Sequence, residues 1–399
     1  MKKSLLVAVL AAAVTGSMLS APAHAAPSRE ADPTEIAAQA YRSAFPQMSQ
    51  AAARAAAAQQ SSRAAIRAEL AKNADTFGGV WFDPPSGTFH VAVTTDAAQS
   101  QADALGQKLG VAMKLHRVSR TLAELVQQAE GLRAGSDPLG KAAAGQVGVD
   151  VTTNQVTVAL PQQARATLSA VPNGVTLVPA AERPTQLDVC TARNNCNDAL
   201  RSGQVVSSTD GSCSIGFTAR SGGIRWALTS GHCRTNLNVT WRTGGTAIGP
   251  LSDAIDSGAV DAGAIQVTNA TFAAQTAGRI YSHNSAGRSV PVNGAAEVMS
   301  DISVGDVVCL SANFTAVTAA SNPCAVIGSL SDPNKRGLVR VDGYDACQGD
   351  SGGGWYHLVG STRTAFGLHS RSDEGCKIAN GKSWFSALPM FWTGLVYET

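Results

Sequence analysis

The sequence predicts a chain in two parts: an α/β segment over residues 26–188, then an all-β half over 189–399 built as two antiparallel β-barrels. Three observations carry this. All eight cysteines lie at or after Cys190, a break in composition between the two parts. Upstream, helical periodicity alternates with short hairpin patterns. Downstream, short apolar strands recur between turn signals such as Ser221-Gly222-Gly223, without a long helical pattern, which is how antiparallel barrels read.

The 399 residues carry a formal net charge of only +2, charged residues make up 15%, and there are 39 glycines. So small a net charge gives no electrostatic case for nucleic-acid or membrane partners. The mix suits a secreted, turn-rich protein. Residues 1–25 read as a signal peptide, with basic Lys2 and Lys3, an apolar core from Leu5 to Ala13, and a small-residue cleavage site at Ala23-His24-Ala25. The apolar run is short for a membrane anchor. No paired arginine precedes it, which favours the ordinary secretory route. An even number of cysteines in a secreted chain implies disulfides of open connectivity. No Cys-x-x-Cys pair occurs, which argues against zinc, and no metal or cofactor is expected.

Within the N-terminal part, Pro33 to about Asn73 is an alanine-rich helical stretch, with Tyr41, Phe45 and Met48 spaced along one face. Gly79-Val80-Trp81-Phe82-Asp83 and Thr88-Phe89-His90-Val91-Ala92-Val93 flank Pro84-Pro85-Ser86-Gly87 and predict a β-hairpin. Trp81, Phe82 and Phe89 read as core residues. A helix over Asp96–Leu109 and a strand over Val111–Val118 follow. Thr121-Leu122-Ala123-Glu124 fits a capping box opening the next helix. A second hairpin, 148–151 with 155–158, echoes the first. The joint runs through Val178-Pro179-Ala180-Ala181-Glu182-Arg183-Pro184-Thr185, where proline and small residues suit an exposed, cleavable linker. The cut is expected between Pro184 and Cys190.

The chemistry concentrates in Gly349-Asp350-Ser351-Gly352-Gly353. A serine hydroxyl is a poor nucleophile unless a base stands beside it and hydrogen-bond donors meet the oxyanion it creates. Glycines around it permit a tight turn that aims the Gly349 and Ser351 N–H groups at one point. Five specified positions recur by chance in roughly one window in a million. A base is available upstream in Thr229-Ser230-Gly231-His232-Cys233, after the apolar run Ile224-Arg225-Trp226-Ala227-Leu228. An orienting acid is available in Val260-Asp261-Ala262-Gly263-Ala264-Ile265, where Asp261 opens an apolar strand. Asp256 is its rival, in a polar loop pattern; His283, His357 and His369 lack the Gly-His-Cys setting of His232.

These motifs resemble those of the chymotrypsin-like serine proteases. Thr229-Ser230-Gly231-His232-Cys233 and Cys213-Ser214-Ile215-Gly216-Phe217 resemble segments of the secreted bacterial members, the streptogrisins and alpha-lytic protease, with Ser230 in place of the usual alanine. The resemblance spans about Cys190 to Thr399. It implies Ser351 as nucleophile, His232 as general base and acid, Asp261 as its orienter, and Ser370 as the serine that meets the buried acid. It also implies disulfides Cys213–Cys233, Cys309–Cys324 and Cys347–Cys376; nearest-neighbour order adds Cys190–Cys196. The N-terminal part resembles the pro-regions of the same proteases, which assist folding, inhibit, and are removed, leaving a mature enzyme expected to be monomeric. No Arg-Ile-Val-Gly-Gly start is present, so activation by insertion of a new N-terminus is not expected. An acid that precedes the serine excludes an α/β-hydrolase. A silent homologue retained for binding is the non-enzymatic alternative.

Two signals for substrate preference conflict. Asp345, six residues before Ser351, matches the pocket floor of trypsin-like enzymes, which take Arg or Lys. Gly367-Leu368-His369-Ser370-Arg371-Ser372 resembles the pocket wall of glutamate-specific bacterial endopeptidases, with His369 and Ser372 in the carboxylate-binding positions. The other histidines of that group are missing, with Trp355 and Trp384-Phe385 nearby instead. Internal pairing of Asp345 with Arg371 or Lys382 would leave a neutral pocket.

Overall fold

The computed structural model describes residues 32–135, 138–143, 146–166, 170–180, 186–187, 200–209, 211–234, 236–281, 289–313, 322–373, 376 and 379–399. The expected signal peptide, the Cys190–Cys196 bridge, His283 and all of the expected cut interval except Gln186–Leu187 lie outside the described residues.

The alanine-rich stretch forms three helices, α1 (Pro33–Ala44), α2 (Gln50–Ala58) and α3 (Gln60–Ala71). Pro46 cannot continue the first helix, and Ser49 caps the second by accepting the Ala52 N–H. Tyr41 and Met48 are both buried, but from a helix and a turn and not from one helix face. The predicted hairpin is β1 (Phe77–Asp83) with β2 (Thr88–Val93); helix α4 (Asp96–Leu109) then returns the chain to β3 (Met113–Arg117), which pairs parallel with β2. Thr121 and Glu124 make the reciprocal capping box of α5 (Leu122–Arg133). The second hairpin, β4 (Val147–Asp150) and β5 (Gln155–Leu160), also gains a parallel third strand, β6 (Val175–Pro179). The two small sheets thus share a topology, and Val178 and Pro179 belong to a sheet and not to the linker. Beyond β6, the two-residue strand β7 (Gln186–Leu187) leaves the N-terminal sheets altogether.

The C-terminal half is two antiparallel barrels. The first uses β8 (Val205–Ser208), β9 (Gly211–Ser214), β10 (Thr218–Ser221), β11 (Ile224–Thr229), β12 (Thr240–Thr243), β13 (Thr246–Ser257) and β14 (Val260–Gln266). A short ribbon, β15 (Arg279–Tyr281) and β16 (Ser289–Pro291), leads to the second, which begins with β17 (Gly294–Ala295). It continues through β18 (Val307–Ser311), β19 (Cys324–Asp332), β20 (Leu338–Tyr344), β21 (Gly354–Val359), β22 (Thr362–Ser372) and β23 (Ala379–Ala387). This sheet closes on itself because β23 pairs with both β20 and β22. The chain ends by returning to the first barrel, where β24 (Val396–Tyr397) pairs with β10.

One apolar core, running from Ala37 through Trp355 to Phe385, is shared by the N-terminal segment and the second barrel. Their seam is also polar and buried. Tyr41 donates to the Gly305 carbonyl at 3.0 Å, Arg63 donates to the Tyr41 hydroxyl at 3.0 Å, and Arg67 meets Asp306 at 2.5 Å. Phe82 donates its N–H to the Val304 carbonyl at 3.0 Å. No helix among the described residues is long and apolar enough to cross a membrane.

Candidate active site

His232 and Asp261 are set at strand ends and Ser351 in a turn between two strands. The strand β11 stops at Thr229, and a single 3₁₀ turn over Gly231–Cys233 carries His232. The turn can sit this close to β13 because residue 231 is glycine: a Cβ there would come within 2.0 Å of the Ile255 carbonyl oxygen. Asp261 is the second residue of β14 and is fully buried. Ser351 lies in the turn between β20 and β21. The same turn needs glycine at 352, which has φ +82 and where a Cβ would meet the Thr229 hydroxyl at 2.2 Å.

These three side chains form one line. His232 Nδ1 lies 2.7 Å from an Asp261 carboxylate oxygen, and His232 Nε2 lies 2.9 Å from the Ser351 hydroxyl. The other Asp261 oxygen accepts the His232 backbone N–H at 2.9 Å, and the Ser370 hydroxyl donates to the carboxylate as well. Burial alone would raise the Asp261 carboxyl; the His232 charge and the hydrogen bonds from His232 and Ser370 outweigh it and hold the group well below the usual carboxylate range. An ionised, buried carboxylate at Nδ1 leaves Nε2 to accept the serine proton, so the arrangement can generate an alkoxide-like nucleophile at neutral pH. Among the described residues, no acceptor takes the Gly349 or Ser351 backbone N–H.

Asp256 is elsewhere. It lies at the tip of the β13–β14 hairpin and binds Arg336 at 2.7 Å. His357 is buried in the second barrel, bonded to the Val307 carbonyl at 2.9 Å and stacked on Phe366. His369 is fully buried, and its Nδ1 accepts the Trp355 indole N–H at 3.3 Å. Asp345 is fully buried against Gly381, where a Cβ would fall 2.3 Å from that of Asp345. Arg371 turns towards Ser370 and Asp256, and Lys382 donates its N–H to Asp373. Ser372 is also fully buried, on the same strand as His369 and Ser370.

Three serines whose structural roles the sequence did not reveal hold this geometry. Ser214 donates its N–H to the Ser351 carbonyl at 2.7 Å and its hydroxyl to the Gly349 carbonyl at 2.9 Å, fastening both sides of the turn. Ser230 donates its hydroxyl to the His369 carbonyl, and the Asp261 N–H donates to the Ser386 hydroxyl at 3.0 Å. A lone serine in a strand carries no signal of such a role; only the fold brings its partner near. The Cys213–Cys233 disulfide ties β9 to the turn that bears His232, and Cys309–Cys324 and Cys347–Cys376 are also bonded. The Asp350 carboxylate accepts the Cys347 N–H at 2.9 Å within its own loop. Among the described residues no group of three or more His, Cys, Asp or Glu is arranged to hold a metal.

An imidazole set between a serine and a buried carboxylate, at the join of two antiparallel barrels, defines a chymotrypsin-like serine protease. Residues 49–108 match the family "Alpha-lytic protease pro N-terminal". Serine protease 1 of Streptomyces fradiae is 30% identical over 312 residues, covering 77% of this chain and 79% of that protein. Glutamyl endopeptidase 2 of Streptomyces griseus is 29% identical over 175 residues, 43% of this chain and 84% of that one. Thermobifida fusca Protease A, a solved structure, aligns with 50% of this chain and 99% of its own at 26% identity and a TM-score of 0.39. The chain belongs to the family of bacterial chymotrypsin-like serine proteases that carry an alpha-lytic-type pro-region, and it is a serine endopeptidase.

Proposed function

We propose that this chain is a secreted proenzyme in which residues 26–188 template and inhibit a protease of residues 189–399. Ser351 attacks the scissile carbonyl, His232 takes its proton and returns it to the leaving amine, and Asp261 holds the imidazole tautomer and offsets the imidazolium charge. Gly349 and Ser351 N–H groups receive the oxyanion. The single observation that carries the reading is the unbroken line from Asp261 through His232 to Ser351, at 2.7 and 2.9 Å. The complete set of three also weighs against a silent binding homologue. Covalent labelling of Ser351 by an organophosphonate separates the two, since a homologue without an activated serine stays unlabelled.

Support for the proenzyme comes from β7. Leu187 and Gln186 pair antiparallel with Arg371 and Ser372, so chain within the expected cut interval adds a strand beside Ser370. Polypeptide substrates are the partners of the mature monomer, with no part for nucleic acid or membrane.

Substrate preference follows from Asp345. A fully buried carboxylate at the position that floors the pocket in trypsin-like enzymes favours Arg or Lys and opposes an acidic side chain. A second reading is preference for glutamate, favoured by His369 and Ser372 on β22 and by the similarity to glutamyl endopeptidase 2. Matched Arg, Glu and Phe peptide substrates decide between them. Arg should be cleaved fastest, and Asp345→Ser should abolish that advantage; a Glu preference that survives Asp345→Ser selects the second reading. Ser351→Ala should lower kcat by about six orders of magnitude.

A further inference from the structure

The N-terminal segment holds a paired histidine that the protease chemistry does not use. His90 on β2 faces Trp81 on β1 in register, and His116 on β3 lies on the same face, two residues beyond the partner of His90. His90 stacks on Trp81 with ring centroids 4.7 Å apart, and His116 lies 4.9 Å from the same indole. Both imidazoles are half-buried, and His90 Nδ1 stands 2.9 Å from His116 Nε2. Burial lowers the pKa of both rings, and the Lys114 charge adds to this, while Asp83 opposes it at His90. Two neutral imidazoles therefore face each other at neutral pH, sharing one N–H.

Nitrogens 2.9 Å apart, each at the usual ~2.0–2.1 Å from a metal, subtend about 90° at it. A tetrahedral ion would need a separation of ~3.3 Å. A right angle is the cis angle of tetragonal Cu²⁺ or Ni²⁺ coordination, and Cu²⁺ also heads the affinity order for nitrogen donors. Ring torsions of histidine are soft, so a modest turn of each ring aims both lone pairs at one vertex.

We propose that His90 and His116 form a two-imidazole site for a divalent transition metal with tetragonal preference, Cu²⁺ before Ni²⁺ before Zn²⁺. Binding shifts the shared proton, by tautomer exchange through solvent, to the far nitrogen of the ring that holds it, so both imidazoles stay neutral as ligands; it ties β2 to β3, with water completing the coordination. The site lies beside the edge where Trp81 and Phe82 meet Val304 of the second barrel, so an occupied site braces the segment that docks on the protease. Because an unfolded chain does not hold the two rings together, binding raises the stability of the folded state.

The test uses the full-length Ser351→Ala chain, which cannot process itself. CuCl₂ should bind with one tightest equivalent, give an axial electron paramagnetic resonance signal with coupling to two nitrogens, quench tryptophan fluorescence and raise the melting temperature. His90→Gln and His116→Gln, each checked by circular dichroism for native fold, should weaken that equivalent at least ~10-fold. NiCl₂ and ZnCl₂ should bind more weakly, in that order. An unchanged Cu²⁺ affinity in both folded variants overturns the proposal, as does tighter Zn²⁺ than Cu²⁺. If a variant does not fold, the two-nitrogen signal of the parent chain decides, and its absence is equally fatal.

Discussion

In the proposed mechanism Ser351 gains its reactivity, through His232, from the buried acid two steps away. Asp261 is fully buried yet ionised because His232, its own backbone N–H and Ser370 surround the carboxylate. Asp261→Asn keeps the shape but removes the charge, and the amide favours the wrong imidazole tautomer. Turnover of the matured enzyme should fall by about 10⁴. A loss smaller than tenfold in steady-state kinetics would show that Asp261 does not orient the base. Ser370→Ala removes one of several donors, so the loss should be far smaller, about tenfold. His357 makes a separate prediction. Burial lowers its pKa, Asp306 and the Val307 carbonyl oppose this, and Arg67 and Arg63 add to it. A free histidine titrates near 6.5, about where the unfolded chain takes up the proton that the folded chain refuses. Stability is therefore full above about 6.5 and declines as pH falls below it towards the depressed folded value. Urea midpoints between pH 7.5 and 5 should fall, and His357→Phe, which can stack on Phe366, should flatten part of that slope. His90 and His116 are lowered as well and account for a further part.

At the scale of elements, three strands do the positioning: β11 delivers His232, β14 delivers Asp261, and β22 delivers Ser370 and the strand edge that β7 occupies. The Cys213–Cys233 bond closes 20 residues of chain around β11. On a chain-entropy basis such a loop is worth about 3 kcal/mol. The last strand is held by charge. The Arg225 side chain is fully buried, and Glu398 meets it at 2.6 Å while also binding Arg220 at 2.9 Å. Removing the carboxylate leaves Arg225 buried and uncompensated, which costs roughly 3–5 kcal/mol for a pair of this kind. Glu398→Ala should thus lower the melting temperature by many degrees, while Arg220→Ala, at the more exposed partner, should change it little. Equal shifts for the two would refute the clasp.

For the molecule as a whole, the decisive feature is a core that crosses from the N-terminal segment into the second barrel. Barrels are built on non-local pairing and fold slowly. A segment that presents α1 and the Arg63–Tyr41–Gly305 chain to β18, β19 and β20 supplies contacts to that barrel while its own distant pairings are being made. Residues 189–399 alone should refold to active enzyme far more slowly than the same chain mixed with residues 26–188, with activity recovery after dilution from denaturant as the readout. Equal rates would remove the templating role. Arg67→Ala, which breaks the 2.5 Å contact with Asp306, should weaken the effect in trans.

Much of this was legible beforehand because its signals are local. The Gly-rich turn at Ser351, the Gly-His-Cys turn at His232 and the acid opening an apolar strand at Asp261 each announce themselves within five or six residues. So does the capping box at Thr121, whose partners are three residues apart. Asp256 was separable from Asp261 by pattern, and the hairpin between them puts its carboxylate on Arg336. What only the tertiary structure decided rests on partners far apart in sequence. Ser214 fastens the turn 135 residues away, Tyr41 reaches a carbonyl 264 residues away, and Glu398 closes on an arginine 173 residues back. The parallel strands β3 and β6 and the seating of Gln186–Leu187 on β22 are likewise invisible to pattern. Local backbone chemistry writes turns, caps and strand periodicity into the neighbouring residues, whereas a serine, a tyrosine or a glutamate looks the same wherever its partner stands until the chain has closed around both.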